Sequence, residues 1–326
     1  MRGATRDKGT TVPGKVFVHV ILLDAEYDLR RYPFAAESPA FLLPMLNQPL
    51  IDRTVRWLAA FGLNEVTLVT NRNVAEDFDL AKSVVAHKLR LAGSVHEVLG
   101  RARAARRLDE PLLMMRANLD PLPNLRALIR SHVTDRAALT WIRGTALQGP
   151  GRYTFGPPAL AFAAPVFSRL LLNDAQPRPL ARLPRLCRQR GLACAEFEPE
   201  RGVVEIDTSY ALYHANIDAL GSSPLTAKAA NDMGLERRGE RLWVAPEVEI
   251  GKVDIDPTGG PVIVGWGAEI GHGAILRGPT VIGEGVSIGA GSCVHRALLL
   301  DSTWLPRESF VANSVVSPRL TARVAV

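Results

Sequence analysis

The sequence predicts a two-part protein, an α/β domain followed by a solenoid of short strands. Three observations carry that expectation. Up to about residue 220, continuous apolar runs alternate with stretches of helical spacing. From Val264 onward an aliphatic residue returns every six positions, a period that fits neither a 3.6-residue helix nor a two-sided strand. The chain has 326 residues, 47% hydrophobic and 22% charged, which suits a folded protein long enough for two cores.

Residues 1–14 read as a flexible leader. The polar start, MRGATRDKGTTVPG, lacks the apolar stretch of a secretory signal. Residues 16–23, VFVHVILL, form the continuous apolar run of a buried parallel strand. In 49–61, Leu50, Ile51, Val55, Leu58 and Phe61 share one helical face, and Gly62 stands where that helix should stop. Residues 65–70 and 112–115 read as further strands, and a helix is expected near 123–131. Strand, helix, strand, helix implies a sheet with crossover connections.

The hexad positions are Val264, Ile270, Leu276, Ile282, Ile288 and Val294, with Gly directly after at 265, 271, 283 and 289. One inward aliphatic residue per repeat and a small residue at each corner define a solenoid. The flanks, 244–255 and 298–316, read as weaker repeats. The region resembles a left-handed parallel β-helix of the hexapeptide-repeat kind, three or four coils long. The expected organisation is a leader at 1–14, an α/β domain at 15–222, a linker at 223–242 and the β-helix at 243–326.

Composition narrows the function. No apolar run approaches the ~20 residues of a membrane helix, so no membrane insertion is expected. The three cysteines, Cys187, Cys194 and Cys293, are too few for a disulfide framework or a clustered zinc site and fit a reducing, cytoplasmic setting. Cys187 and Cys194 read as buried structural residues. The net charge is +6, but the arginines are scattered and no nucleic-acid-binding motif is present, so no nucleic-acid partner is expected.

Five stretches resemble the four motifs of the sugar-phosphate nucleotidyltransferases, such as mannose-1-phosphate guanylyltransferase, the first motif being in two segments. Asp24-Ala-Glu-Tyr-Asp-Leu-Arg-Arg-Tyr-Pro33 and Pro39-Ala-Phe-Leu-Leu-Pro-Met-Leu-Asn-Gln-Pro-Leu-Ile51 align without a gap with that family's phosphate loop and the segment after it. Arg30, Pro33, Pro39, Pro44, Asn47 and Pro49 keep the pattern. Leu99-Gly-Arg-Ala-Arg-Ala-Ala105, Leu108-Asp-Glu-Pro-Leu-Leu-Met-Met-Arg-Ala-Asn118 and Glu205-Ile-Asp-Thr-Ser-Tyr-Ala-Leu-Tyr-His-Ala-Asn216 resemble the other three. The resemblance spans 16–316 and implies a Rossmann-like nucleotidyltransferase domain followed by the β-helix.

The departures fall on the chemistry. Glu26 and Asp28 replace loop glycines whose backbone N–H groups would approach phosphates, adding bulk and negative charge. Ala40 replaces the lysine that the resemblance implies for charge stabilisation. Gly100 is kept, but Arg101 and Arg103 stand where the nucleotide would pass. Asn118 replaces a metal-binding Asp, and a neutral amide is a poor ligand for Mg²⁺. A carboxylate survives as Glu205 or, in a shifted register, as Asp207. The stretch 139–162 is shorter than in the family, has no E-K-P, and carries Pro157 in place of an Asn.

The resulting expectation is a catalytically degenerate homologue with no cofactor, serving as a structural or regulatory partner in nucleotide-sugar or polysaccharide biosynthesis. It would form a homo-oligomer or a heteromer with a catalytic homologue, through 243–316 and the tryptophans Trp243, Trp266 and Trp304. Two alternatives stand. One is an active transferase, with Mg²⁺, built on Arg30, Glu205 and Asp207. The other is a hexapeptide acyltransferase using His272. The acidic residues Asp24, Glu26 and Asp28 read as a solvated loop or as a new cation or arginine site. Arg101, Arg103, Arg106 and Arg107, expected near a helix start, read as a solvated face or as a plug paired with that loop. The C-terminal tail, 317–326, is expected to be too short to cap the solenoid.

Overall fold

The computed structural model describes residues 18–24, 34, 38–72, 78–173, 179–250 and 252–324. The expected leader and the loop positions Glu26, Asp28, Arg30 and Pro33 lie outside the described residues. The chain is a mixed α/β protein with parallel sheets.

The first half begins with β1 (His19–Leu23), a hairpin of β2 (Pro44–Met45) and β3 (Gln48–Pro49), α1 (Leu50–Ala60) and β4 (Val66–Val69). It continues with α2 (Phe78–His87), β5 (Arg90–Ala92), α3 (Val95–Ala104), β6 (Leu112–Arg116), β7 (Leu119–Asp120) and α4 (Leu125–Thr134). Then come β8 (Leu139–Gly149), β9 (Arg152–Ala163), α5 (Val166–Leu172), α6 (Pro179–Gln189), β10 (Cys194–Glu196) and β11 (Val203–Glu205). Two helices, α7 (Ser209–Gly221) and α8 (Ser223–Asp232), lead out of it.

The main sheet runs β5-β4-β1-β6-β9-β8-β11-β7, with β10 also paired to β8. Strands β1, β4, β5 and β6 are parallel, and the continuous apolar runs of β1 and β6 suit strands covered on both faces. Strand β9 runs antiparallel between β6 and β8. Apolar side chains fill both faces: Leu58, Leu68, Leu113 and Leu160 on one, Ile21, Leu99, Met114 and Phe167 on the other.

The second half holds β12 (Glu236–Gly239), β13 (Leu242–Val244), β14 (Asp254–Asp256), β15 (Val262–Val264), β16 (Glu269–Ile270) and β17 (Ile275–Arg277). It ends with β18 (Thr280–Ile282), β19 (Ser287–Ile288), β20 (Cys293–Leu299), β21 (Trp304–Leu305), β22 (Phe310–Val316) and β23 (Thr321–Arg323). The hexad sets the register. Val264 pairs in parallel with Ile282, Ile270 with Ile288, and Leu276 with Val294. Three hexads therefore complete one coil, and their aliphatic residues stack inside it. The corner glycines allow the coils to close up. A Cβ on Gly271 would lie 2.7 Å from the Ala290 Cα, and one on Gly289 would lie 2.7 Å from the Arg307 Cα, closer than real contacts permit.

At that same corner the Gly271 N–H bonds the Ile288 carbonyl and the Gly289 N–H bonds the Leu305 carbonyl. The register continues to Pro306, which has no N–H. The tail differs from expectation here. Strand β23 pairs antiparallel with Ser314–Val316 and so covers part of the last coil, because Ser317 and Leu320 close a tight turn that reverses the chain.

The 223–242 stretch, expected as a linker, is α8 followed by β12 and the start of β13. The two halves share one core: Ala40, Met45, Leu46, Leu212 and Tyr213 belong to the same apolar cluster as Val264, Ile282 and Val294. Hydrogen bonds fix the joint. Leu46 and Asn47 form the β2–β3 turn at φ 51° and 60°. The Leu46 N–H donates to Asn216 Oδ1 at 2.7 Å. Asn216 Nδ2 donates to the carbonyls of Pro44 (3.1 Å) and Leu212 (3.0 Å). Asn47 Nδ2 donates to the Ile282 carbonyl at 2.7 Å, and the Tyr213 hydroxyl donates to the Arg296 carbonyl at 3.1 Å.

Candidate functional site

In open α/β sheets the crevice at the carboxyl ends of parallel strands is where ligands bind. Here that edge is tied together by the Asp24 N–H on the Val69 carbonyl (3.0 Å) and the Ala117 N–H on the Leu23 carbonyl (3.0 Å). Four strand ends deliver polar groups to it. Asp24 follows β1, and its carboxylate accepts from the Thr70 hydroxyl, past β4, at 2.9 Å. Arg116 ends β6. Its guanidinium donates to the Asp24 carbonyl at 3.5 Å and lies 4.0 Å from Glu205 Oε2, at the end of β11. Asp207 sits two residues on, its N–H bonded to the Glu205 carbonyl at 3.0 Å.

Burial raises the Glu205 pKa above its ordinary value; the Arg116 charge opposes that and the Asp207 charge adds to it. The carboxyl rests on a bare stretch of the β8–β9 hairpin. A Cβ on Gly144 would collide with Glu205 Oε1 and come within 3.0 Å of the Ala159 Cβ. The 139–162 segment thus folds as an irregular hairpin, with register shifts at Ile142/Arg143 and Arg143/Thr145. Among the described residues the edge carries the carboxylates of Asp24, Glu205 and Asp207 and the guanidinium of Arg116, and Arg72 follows two residues past β4, its N–H bonded to the Thr70 hydroxyl.

Asn118 is buried, and its Nδ2 donates to the Ile206 carbonyl at 3.1 Å while its Oδ1 finds no hydrogen-bond partner. The side chain therefore fastens the end of β6 to the end of β11. No group of three or more His, Cys, Asp or Glu side chains that could hold a metal occurs among the described residues. Ala40 is fully buried in the shared core, so a lysine at that position would put its ammonium among Phe34, Leu43 and Met45.

The arginine cluster lies elsewhere than expected. Ser94 caps α3, its Oγ accepting from the Glu97 N–H at 3.1 Å. Arg101 and Arg103 are therefore in the last turn of that helix, with Arg106 and Arg107 beyond it. A helix between parallel strands runs back toward their amino ends, and this one carries its arginines away from Asp24. Arg101 pairs with Glu97 and donates to the Leu91 carbonyl, and Arg107 pairs with Glu65 and Glu110. Gly100 sits in the same helix with no atom within 4 Å of an added Cβ.

A second cleft, of about 590 Å³, opens across the sheet from Glu205 and is bordered by Arg53, Arg56, Asp120, Arg201, Asp218 and Lys228. Val204 lines it and Glu205 faces away, as successive strand residues do. Asp120, 3.3 Å from Arg53, is held above its ordinary pKa by burial.

The tryptophans divide. Trp243 is 6% exposed and belongs to the internal core, with Arg237 over its ring, so it is not available to a partner. Trp266 is partly open and donates its indole N–H to the Met233 carbonyl. Trp304 is 66% exposed, with Phe310 at 71% nearby in sequence. His272 is an exposed corner residue.

Sequence reasoning missed Arg116, Thr70 and Gly144. For Arg116 a signal was present, a charged residue closing the otherwise apolar run Leu112–Met115. Thr70 and Gly144 carry no such mark, since their roles depend on strand neighbours remote in sequence. No protein-family model matches this chain, and no curated protein matches it.

Proposed function

We propose that this chain is a sugar-nucleotidyltransferase-like protein that has lost nucleotide transfer. In this reading the first half is a Rossmann-like nucleotidyltransferase domain and the second a left-handed hexapeptide β-helix. The protein serves as a structural or regulatory partner in nucleotide-sugar or polysaccharide biosynthesis, as a homo-oligomer or bound to a catalytic homologue. One observation carries the loss of chemistry. Where the resemblance implies a metal-binding carboxylate, the buried amide of Asn118 is committed to the Ile206 carbonyl, and a neutral amide is a poor ligand for Mg²⁺. At the joint, by contrast, Asn47 still donates across to the Ile282 carbonyl, and Asn216 bonds Leu46, Pro44 and Leu212, which supports selection for the scaffold.

The test is pyrophosphate release from nucleoside triphosphates and sugar 1-phosphates with Mg²⁺. No release above a buffer control is expected, and Asn118→Asp alone should leave the protein inactive, because residues acting as a unit are non-additive. Turnover abolished by Arg30→Ala would overturn the proposal in favour of an active transferase. The assembly claim rests on Trp304 and Phe310, large apolar side chains held in the open. Light scattering on the full chain should give a dimer or a co-purifying homologue. A monomer at micromolar concentration with no partner would refute it. Truncation after Ser222 is not a fair test, since it would cut through the shared core.

A further inference from the structure

Cys187 and Cys194 take no part in the strand-edge site. Cys187, near the end of α6, is fully buried. Its Sγ lies 3.4 Å from the Leu192 carbonyl oxygen and 3.6 Å from that of Ala193, the two residues just before Cys194. The intervening chain turns sharply. The Gly191 N–H bonds the Arg188 carbonyl, the Leu192 N–H bonds the Cys187 carbonyl, and Gly191 takes φ 62°. This turn lays β10 beside the helix it follows and brings Cys194 directly after the carbonyl that the Cys187 Sγ touches. Cys194 is half-exposed while packing on the same apolar cluster as Cys187. Cys293, the third thiol, lies in the solenoid, its register neighbours Ile275 and Phe310.

We propose that Cys187 and Cys194 are a redox-active pair that closes to an intrachain disulfide on reaction with a peroxide. The proposal is independent of the one above. Cys194, the accessible thiol, attacks a peroxide oxygen. The O–O bond breaks, an S–OH group forms on Cys194, and the thiol proton leaves with the other oxygen as water. The Cys187 sulfur then attacks the Cys194 sulfur. The S–S bond forms, the S–O bond breaks, and the departing hydroxide takes the Cys187 proton as a second water. Two thiols and one hydrogen peroxide become one disulfide and two waters; the two electrons given up by sulfur reduce the peroxide. The order follows from burial. Exposure makes Cys194 the first to react, whereas burial and the adjacent thiol hold Cys187 in its protonated form until a partner sulfur lies against it.

The product would tie α6 to β10, and through the pairing of Cys194 with Leu139 and Glu196 with Trp141 to β8, which carries Gly144 and the floor of the strand-edge site. The experiment uses the full chain, treated with equimolar hydrogen peroxide and then alkylated. The expected result is an intact mass lower by two hydrogens and a non-reduced peptide map linking Cys187 to Cys194. Trypsin cuts at Arg188 and Arg190 between them, so the link joins two peptides. Dithiothreitol should reverse it. Cys187→Ser should instead leave a sulfenic acid on Cys194 that dimedone traps, and Cys293→Ser should not alter the link. Peroxide products confined to sulfinic or sulfonic acid at Cys194, a link that needs Cys293, or two unmodified thiols would each overturn the proposal. Should Cys187→Ser not fold, the wild-type peptide map decides alone.

Discussion

Removing one side-chain amide at the joint should destabilise both halves of the protein together. Asn216 is buried on α7 and makes three hydrogen bonds: it accepts from the Leu46 N–H and donates to the carbonyls of Pro44 and Leu212. In Asn216→Ala the Leu212 carbonyl stays within its helix, but the buried Leu46 N–H and the part-buried Pro44 carbonyl lose their partner. An unsatisfied buried backbone group costs about 1–3 kcal/mol, and the Leu46 N–H alone sets that range. The Leu46–Asn47 turn also holds two non-glycine residues at positive φ, a conformation that its partners must sustain. Urea unfolding of the full chain measures the loss as a lower midpoint at unchanged slope. Asn231→Ala, on the exposed face of α8, is the control and should stay within about 0.5 kcal/mol. A loss below about 1 kcal/mol in Asn216→Ala would refute the reasoning, because the joint would then be held by apolar contact alone.

Three further outcomes follow from particular contacts. Ala40→Lys places an ammonium in the shared core and should lower stability by several kcal/mol, on the order of an unpaired buried charge, read as a fall in thermal midpoint. Glu205 binds its proton more tightly in the folded state than its ordinary pKa of 4.5 implies, so ionising it works against folding. Stability should therefore fall as pH rises from that value through the folded pKa. Glu205→Gln should gain stability over wild type at pH 8 and lose the advantage at pH 4, and an equal effect at both would disprove the burial argument. Gly144→Ala drives a methyl group into the Glu205 carboxyl and the Ala159 side chain. It should cost about 1–3 kcal/mol, as overpacking does, and shift the Glu205 titration seen by NMR.

The solenoid was legible because its signal is local and repeated. Val264, Ile270 and Leu276 each meet the hexad residue eighteen positions on in the ladder, whereas Ile282, Ile288 and Val294 pair seventeen on, with Leu299, Leu305 and Val311, where the period slips by one. The strand runs before Leu23 and Arg116 were legible for a similar reason, since continuous apolar character marks a strand covered on both faces. The strand-edge site was only half legible. Asn118, Glu205 and Asp207 came from motif likeness, but Arg116 sat inside a matched motif and was passed over. The α3 boundary was misplaced because the Ser94 cap and Glu97 carry the start signal, five and two residues before the motif begins at Leu99. Trp243 shows the limit of composition. An indole on a solenoid is as easily an internal brace as a contact surface, and only the position of Arg237 and the core around it separates the two.

Pro306 carries a consequence for how large an assembly this chain can build. Gly271 and Gly289 each hand an N–H to the next coil, and the residue in register with them has none to offer. The neighbouring stretch Ser314–Val316 is already occupied by β23. A repeat that stacks by adding identical layers is in principle open-ended, and a bare final layer would nucleate growth by any chain with the same spacing. Here the last layer lacks a donor at one corner and has part of an edge filled. A copy stacked end to end on this layer would go without a hydrogen bond at the Pro306 corner and would find Ser314–Val316 already paired, so growth into a fibre is penalised at this end.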